Sequence, residues 1–409
     1  MRIAQVVRNG SIRGGAETYV ATLSEGLRAA GHEVALVYGS EPDPTRPEVV
    51  AGSQLEALAD PEAATDPAGL QAALRTFAPD VIHAHIPEAP WVTQACSSVA
   101  PTLLAVQDHK LNCPTGTKYW TSWGKACTVK PGVWCLGYNL VAHCGSMRAN
   151  ATLQPYKTWK RASASVRKQP VTVQVFSEFM RELVEPVIGR RVVVTHYPAP
   201  PVQAGAWFQP PETSASQAPV MSGQQDPARD RRPVVLAMGR LTREKGFRYL
   251  LDAVGGVGTR CHFVIVGDGH DRAALEKRAK NASGGHRITF TGWLGSVERD
   301  RWLRKAKLVV VPSMWPEPFG IVGLEAMAAG KPVLAFDSGG ISEWLTDGVT
   351  GVLVQPGDRE ELARRMSRLI ADPERLEELG GAGQRLVAER FSLIEHVRTI
   401  EELYRGLPA

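Results

Sequence analysis

Short apolar runs follow one another along the chain, separated by stretches in which apolar residues recur every three or four positions. Residues 2–7 (RIAQVV), 33–38 (EVALVY), 80–85 (DVIHAH) and 102–107 (TLLAVQ) are such runs and predict buried strands. Residues 16–31 predict an amphipathic helix closed by Gly31. After residue 233 the alternation restarts, with strands predicted at 234–239, 262–269, 288–293, 308–313, 332–337 and 351–356. Helices are predicted from about 246 to 254, from about 271, from about 320, and over most of 358–407. This alternation calls for parallel sheets covered on both faces, so the expected fold is α/β with two successive doubly wound domains. The segment 199–233 is rich in Pro, Gln, Ser and Ala, lacks periodicity, and reads as a linker or a disordered insertion.

Length agrees, since 409 residues exceed what one hydrophobic core covers. A hydrophobic content of 44% and a charged content of 22% describe an ordinary soluble chain. No run approaches the roughly 18 apolar residues of a spanning helix, and the start lacks a signal-peptide layout. The expected location is cytoplasmic, with peripheral membrane contact open. The net charge of +5 is modest, but from His109 to Ser177 there are ten Lys or Arg and no Asp or Glu. That segment is either a solvated basic face or a surface for something anionic, such as a lipid headgroup, a diphosphate-linked acceptor or an acidic polymer. Nucleic acid is not an expected partner.

Ligands of doubly wound sheets bind beyond the carboxyl ends of the strands, and the candidate residues fall there. Gly14 and Gly15 follow the first strand and open a helix, which suits either an anion or simple tight packing. Arg240 and Lys245 bracket the turn after strand 234–239 and can address one anion, the Arg as a fork and the Lys as a point charge. Residues 315–326 (WPEPFGIVGLEA) hold Glu317 and Glu325 eight positions apart. On one continuous helix they would stand about 12 Å apart along the axis and about 80° apart around it, a poor dyad. Pro316 and Pro318 argue against that helix. Glu317 is therefore expected in a loop, the helix near Gly320, and Glu325 one to two turns inside it. Backbone N–H groups of Phe319, Gly320, Ile321 and Val322 would suit a phosphate, with the two carboxylates taking hydroxyls of one ligand. His83 and His85 share a strand face and read as packing or acceptor-site histidines more readily than as metal ligands.

GRLTREKG, FVIVGDG, TGWLG and EPFGIVGLEAMAAGKPVLAFDSGGISEWLTDGVTGVLV resemble the family 4 retaining nucleotide-sugar glycosyltransferases of GT-B architecture. The resemblance covers most of 233–357 and, more weakly, 1–110. It implies two Rossmann-like domains around a cleft, a UDP- or GDP-sugar donor and no catalytic metal. The implied acceptor is a small molecule, glycan, lipid-linked group or peptide. The implied boundaries are an acceptor-side domain at 1–198 with a basic, cysteine-bearing insertion at about 109–170, and a donor domain at 234–390. The helix of 391–409 would pack back on the first domain. By the resemblance Arg240 and Lys245 bind the donor diphosphate, Glu325 the ribose and Glu317 the donor sugar, while the Gly14–Gly15 loop closes over the diphosphate. Family members often carry His-Asp after the fourth strand, where this chain has Gln107-Asp108-His109. Either His109 takes the catalytic place of that histidine or Gln107 supplies a neutral hydrogen bond. Residues 194–201 (VTHYPAPP) also depart from the family's usual hinge. A phosphorylase or synthase on the same scaffold is the alternative enzyme, and a metal- or redox-responsive sensor the non-catalytic one. A glycosidase fits less well, because hydrolysis has no use for the Arg240/Lys245 pair.

Cys113, Cys127, Cys135 and Cys144 fall within one short segment with spacing C-x13-C-x7-C-x8-C, and only Cys96 and Cys261 lie elsewhere. Four such thiolates can ligate zinc or an iron–sulfur cluster, and the lack of C-x2-C pairs leans towards the cluster. Disulfides and free thiols remain alternatives. Some family 4 members similarly follow H-D-x-x-x-x-C-P with further cysteines. The expected role is to staple an acceptor-side loop.

Overall fold

The computed structural model describes residues 1–9, 14–40, 53–54, 67–144, 150–199, 232–282 and 284–408. Most of the expected linker, 200–231, and residues 10–13 before the glycine turn lie outside them. The chain forms two compact units. The first comprises 1–199, 315–321 and 391–409, and the second 200–314 and 322–390.

The first unit runs β1 (Arg2–Asn9), α1 (Gly15–Ala29), β2 (Glu33–Ser40), β3 (Ser53–Gln54), α2 (Pro67–Phe77), β4 (Val81–Ala84), α3 (Pro90–Ser97) and β5 (Thr102–Val106). A hairpin of β6 (Tyr119–Trp120) and β7 (Lys125–Ala126) follows, then α4 (Trp134–Ala142), α5 (Asn150–Lys168), β8 (Val171–Val175), α6 (Glu178–Ile188) and β9 (Val193–Val194). The sheet order is β3-β2-β1-β4-β5-β8-β9, every described pair parallel. Ile3, Ala4 and Val6 of β1 are fully buried, as a central strand covered on both faces requires. In α1 the buried Tyr19, Val20, Leu23, Ser24 and Leu27 recur at helical spacing and form its inner stripe. Ala162 and Val166 of α5 lie in the core. That helix is therefore the crossover from β5 to β8, and the part of the expected 109–170 insertion outside the sheet's own plan ends before it.

The second unit contains β10 (Val234–Met238), α7 (Phe247–Val254), β11 (His262–Val266), α8 (Arg272–Ala282), β12 (Arg287–Gly292), α9 (Ser296–Lys305) and β13 (Ala306–Val311). It continues with α10 (Ile321–Ala328), whose first residue counts with the first unit, then β14 (Val333–Phe336), β15 (Val352–Val354), α11 (Arg359–Ala371) and α12 (Pro373–Arg390). Its sheet order is β12-β11-β10-β13-β14-β15, again all parallel. The last helix, α13 (Leu393–Arg405), packs in the first unit against α1. There His396 pairs with the Tyr19 hydroxyl at 3.1 Å and Glu401 pairs with His32.

Candidate active site

In the second unit the strand order reverses between β10 and β13, the switch point beyond which open parallel sheets bind their ligands. The loops leaving those two strands are joined: the Met314 N–H donates to the Glu244 carbonyl at 2.9 Å. Gly246 sits at φ 70°, and a Cβ there would lie 1.8 Å from the Pro312 carbonyl oxygen, so only glycine lets the turn pass. Arg240 stands exposed directly after β10 and makes no ion pair with a described residue. Lys245 ends a 3-10 turn, Arg243–Lys245, and is half-buried. The two cations thus flank one turn at one strand end. Glu325 is buried on the second turn of α10. Burial pushes its carboxyl up, Arg299 at 3.6 Å draws it back down, and Asp300 adds to the rise.

Glu317 lies in the loop 315–321, which packs within the first unit and buries it. The prolines on either side explain how. The Pro316 carbonyl accepts the Nε2–H of His109 at 2.6 Å, and the Pro318 carbonyl accepts the Ser177 hydroxyl. Ser177 works in both directions, because its Oγ also caps α6 by accepting the Met180 N–H at 3.0 Å. Trp315 Nε1 donates to the Thr117 carbonyl at 2.5 Å. Phe319, 1% exposed, is boxed by His196, Tyr197 and Phe391. Gly320 takes φ 94°, which only glycine adopts freely, and releases the chain into α10. A Cβ on Gly15 would lie 3.1 Å from Ile321 Cδ1, so the glycine turn before α1 reaches the start of α10. Val322 is half-buried beside it in sequence.

Residues 13–201 match the family model Glycosyltransferase Family 4, and residues 223–386 match Glycosyl transferases group 1. The two models together take in most of the chain, and its fold is that of the GT-B glycosyltransferases. It is 35% identical over 181 residues to the alpha-D-kanosaminyltransferase of Streptomyces kanamyceticus, covering 44% of this chain and 47% of that protein. It is 34% identical over 190 residues to the alpha-maltose-1-phosphate synthase of Mycolicibacterium smegmatis, covering 44% and 49%. The chain spans about half the length of the curated relatives it matches. Among solved structures it resembles the sucrose-phosphate synthase of Thermosynechococcus elongatus, with TM-score 0.72, 22% identity, and 99% and 98% of the two chains covered. Anabaena Alr3699/HepE in complex with UDP and glucose gives TM-score 0.71 and 20% identity, with 100% of both chains covered. At these identities the two structures establish the fold.

Both ring nitrogens of His109 are engaged. Nδ1 faces the Asn112 side-chain amide at 3.1 Å, and burial lowers the ring's affinity for a proton, so it is neutral. A neutral ring that donates through Nε2 accepts at Nδ1, so the amide N–H of Asn112 belongs on that side. Gln107 turns its amide to His85 Nδ1 at 3.3 Å. His83 and His85 belong to a buried polar ladder. His83 meets Tyr404 and Gln174, each at 2.8 Å, and His85 meets Gln5 at 2.7 Å. Burial lowers His83 to about 3 and His396 to about 4, and takes His85 well below the ordinary value.

The four clustered cysteines line one cavity of about 20 Å³, together with Tyr119, Trp120 and Tyr138. Among the described residues, no three His, Cys, Asp or Glu stand as ligands of one metal ion. Burial pushes the Cys127 and Cys135 thiols up, and burial plus the other three sulfurs pushes Cys144 up to about 12. Sequence reasoning found these sulfurs but missed Ser177, Trp315 and Asn112, whose partners lie far away along the chain or carry no motif. Only the helix-capping place of Ser177 was visible, as a serine before an amphipathic run.

Proposed function

We propose that this chain is a retaining hexosyltransferase that moves a sugar from a UDP- or GDP-sugar to an acceptor held by the first unit. The observation that carries this reading is the joined pair of loops at the β10/β13 switch point, with Arg240 and Lys245 on the loop that Met314 holds. Charge grows on the departing diphosphate as the glycosidic bond to the donor breaks. Arg240 and Lys245 stabilise that charge more in the transition state than in the ground state, with amides at the start of α10 assisting. Gly14 and Gly15 offer backbone N–H groups to the same diphosphate. Glu325 accepts ribose hydroxyls and Glu317 accepts hydroxyls of the transferred sugar. His109 acts on this reading by fixing the Pro316 carbonyl, and hence the rotation of the Glu317 loop. No catalytic metal is required, since the cations do the work of charge neutralisation.

A synthase is the second reading, with a sugar phosphate as acceptor, because three matched relatives bear the name alpha-maltose-1-phosphate synthase. Sugar phosphates and neutral glycans offered as competing acceptors separate the two. The basic segment carries exposed Trp134, Val141 and Trp123 at 74%, 64% and 48%, which suits peripheral contact with an anionic membrane and a lipid-linked acceptor. No helix among the described residues is long and apolar enough to cross a membrane.

The test is thermal stability against UDP, GDP, ADP and their sugar conjugates, with Arg240→Ala alongside. At a hundredfold excess over Kd a ligand adds about 2.7 kcal/mol to stability. One nucleotide series should shift the wild type and shift the variant less. If no nucleotide shifts the wild-type chain, the donor-site reading fails.

A further inference from the structure

We propose that Cys113, Cys127, Cys135 and Cys144 hold an iron–sulfur cluster of the cubane type, and that this cluster forms the core of the small lobe between β5 and α5. The topology gives each sulfur a different anchor. Cys113 lies in the loop after β5, Cys127 directly after β7, Cys135 in the first turn of α4 and Cys144 two residues after its end. All four nevertheless converge on one cavity, walled otherwise by the rings of Tyr119, Trp120 and Tyr138 and by Lys118. Cysteines brought together from four separate places are not explained by ordinary burial of small apolar residues, and none of them is in a disulfide.

The arrangement of the sulfurs speaks against a single ion. A single zinc binds sulfur at about 2.3 Å, which brings its four sulfurs to about 3.8 Å from one another. No three of these residues are gathered in that way. A cubane puts each thiolate on a different iron, so its ligands surround a shared space and stand farther apart. The surroundings suit a centre of net negative charge. The Lys118 N–H donates to Cys113 Sγ at 3.4 Å, the kind of contact that holds a ligand sulfur in place. Lys118 is buried, with its Nζ on the Val129 carbonyl at 2.6 Å, so a cation stands at the cavity without a carboxylate beside it in sequence. From His109 to Ser177 the chain contains no Asp or Glu to oppose such a charge. The described sheet of the lobe is one two-residue hairpin, and Val133, Trp134, Leu140 and Val141 around α4 face outward. So small a folding unit needs a staple. Loading is a ligand exchange: a preassembled cluster leaves its carrier's thiolates, four Sγ–H protons depart, and four iron–Sγ bonds form. No oxidant or reductant enters.

The full chain, purified without oxygen, should carry about four irons and about four acid-labile sulfides, with broad visible absorbance. Cys127→Ser combined with Cys135→Ser should remove most of both. The count on the wild-type chain decides the matter even if that variant fails to fold. One zinc per chain without sulfide would overturn the cluster. Less than about 0.2 equivalents of any metal would overturn the site altogether, given the affinity of such sites. Iron and sulfide undiminished in a soluble double variant would overturn the assignment of ligands.

Discussion

Acidification should loosen α13 from the first unit, and the size of the effect follows from two buried histidines. His83 on β4 and His396 on α13 are neutral in the folded chain, lowered to about 3 and about 4 from an ordinary value of 6.5. Burial is the main cause for both; the Gln174 bond to His83 and a backbone bond to His396 work against it, and His396 further depresses His83. Above pH 6.5 both are neutral folded or unfolded, and they contribute no pH dependence. Below it the unfolded chain binds protons that the folded chain refuses, so stability falls as pH drops from about 6.5 towards each folded value. At pH 5 the gap from 6.5, at about 1.4 kcal/mol per pH unit, comes to about 2 kcal/mol for each ring. Together that is about 4 kcal/mol, a large part of an ordinary domain's stability. His83 meets Tyr404 of α13, and His396 of α13 meets Tyr19 of α1, so charging either ring puts an unsolvated cation at the seat of α13. Urea unfolding followed by circular dichroism at about pH 7.5 and about pH 5 measures the loss. His83→Gln and His396→Gln each cost stability at both pH values, but each should shrink the pH-dependent loss by about 2 kcal/mol. Comparison with the wild type cancels other titrating groups, including Glu25, whose carboxyl burial raises to about 7. An identical loss in all three proteins would refute the argument that these rings are held neutral by burial.

Two further outcomes follow from the packing and the surface. Gly323→Ala puts a methyl 2.0 Å from the buried Trp344 ring, which has no room to yield. Overpacking of this kind costs about 1–3 kcal/mol, so the melting temperature should fall by several degrees, and an unchanged value would contradict the close approach. Full-length chain should sediment with anionic vesicles more than with zwitterionic ones, less so at high salt, and Trp134→Glu should weaken it. Equal partition onto both vesicle types would count against the basic segment as a membrane surface.

The fold was legible in the sequence because parallel strands buried on both faces must be continuously apolar, and their crossover helices must be amphipathic. Residues 2–7, 234–239 and 308–313 carried that signal and correspond to β1, β10 and β13 within a residue or two. The loop nature of Glu317 was legible too, since Pro316 and Pro318 on either side argue against a helix through it. What the loop packs against was not. Nothing local in WPEPFG says that its two proline carbonyls meet His109 and Ser177, or that the segment counts with the first unit. Hydrogen bonds from residues more than a hundred positions away leave no periodic trace.

The cysteines divide in the same manner. Composition and spacing marked them as a set, while their convergence on one cavity depends on a hairpin and a helix folding back together. His83 and His85 show the limit from the other side, as alternate positions on a strand end that read as packing or as acceptor-site residues more readily than as metal ligands. Tertiary structure decided for packing by supplying Gln174, Tyr404 and Gln5. Sequence by itself determined the strands and helices on which burial imposes a clear period, such as β1, α1, β10 and β13. Only the tertiary structure decided which polar groups find partners, because a buried donor needs an acceptor in space, wherever along the chain it comes from.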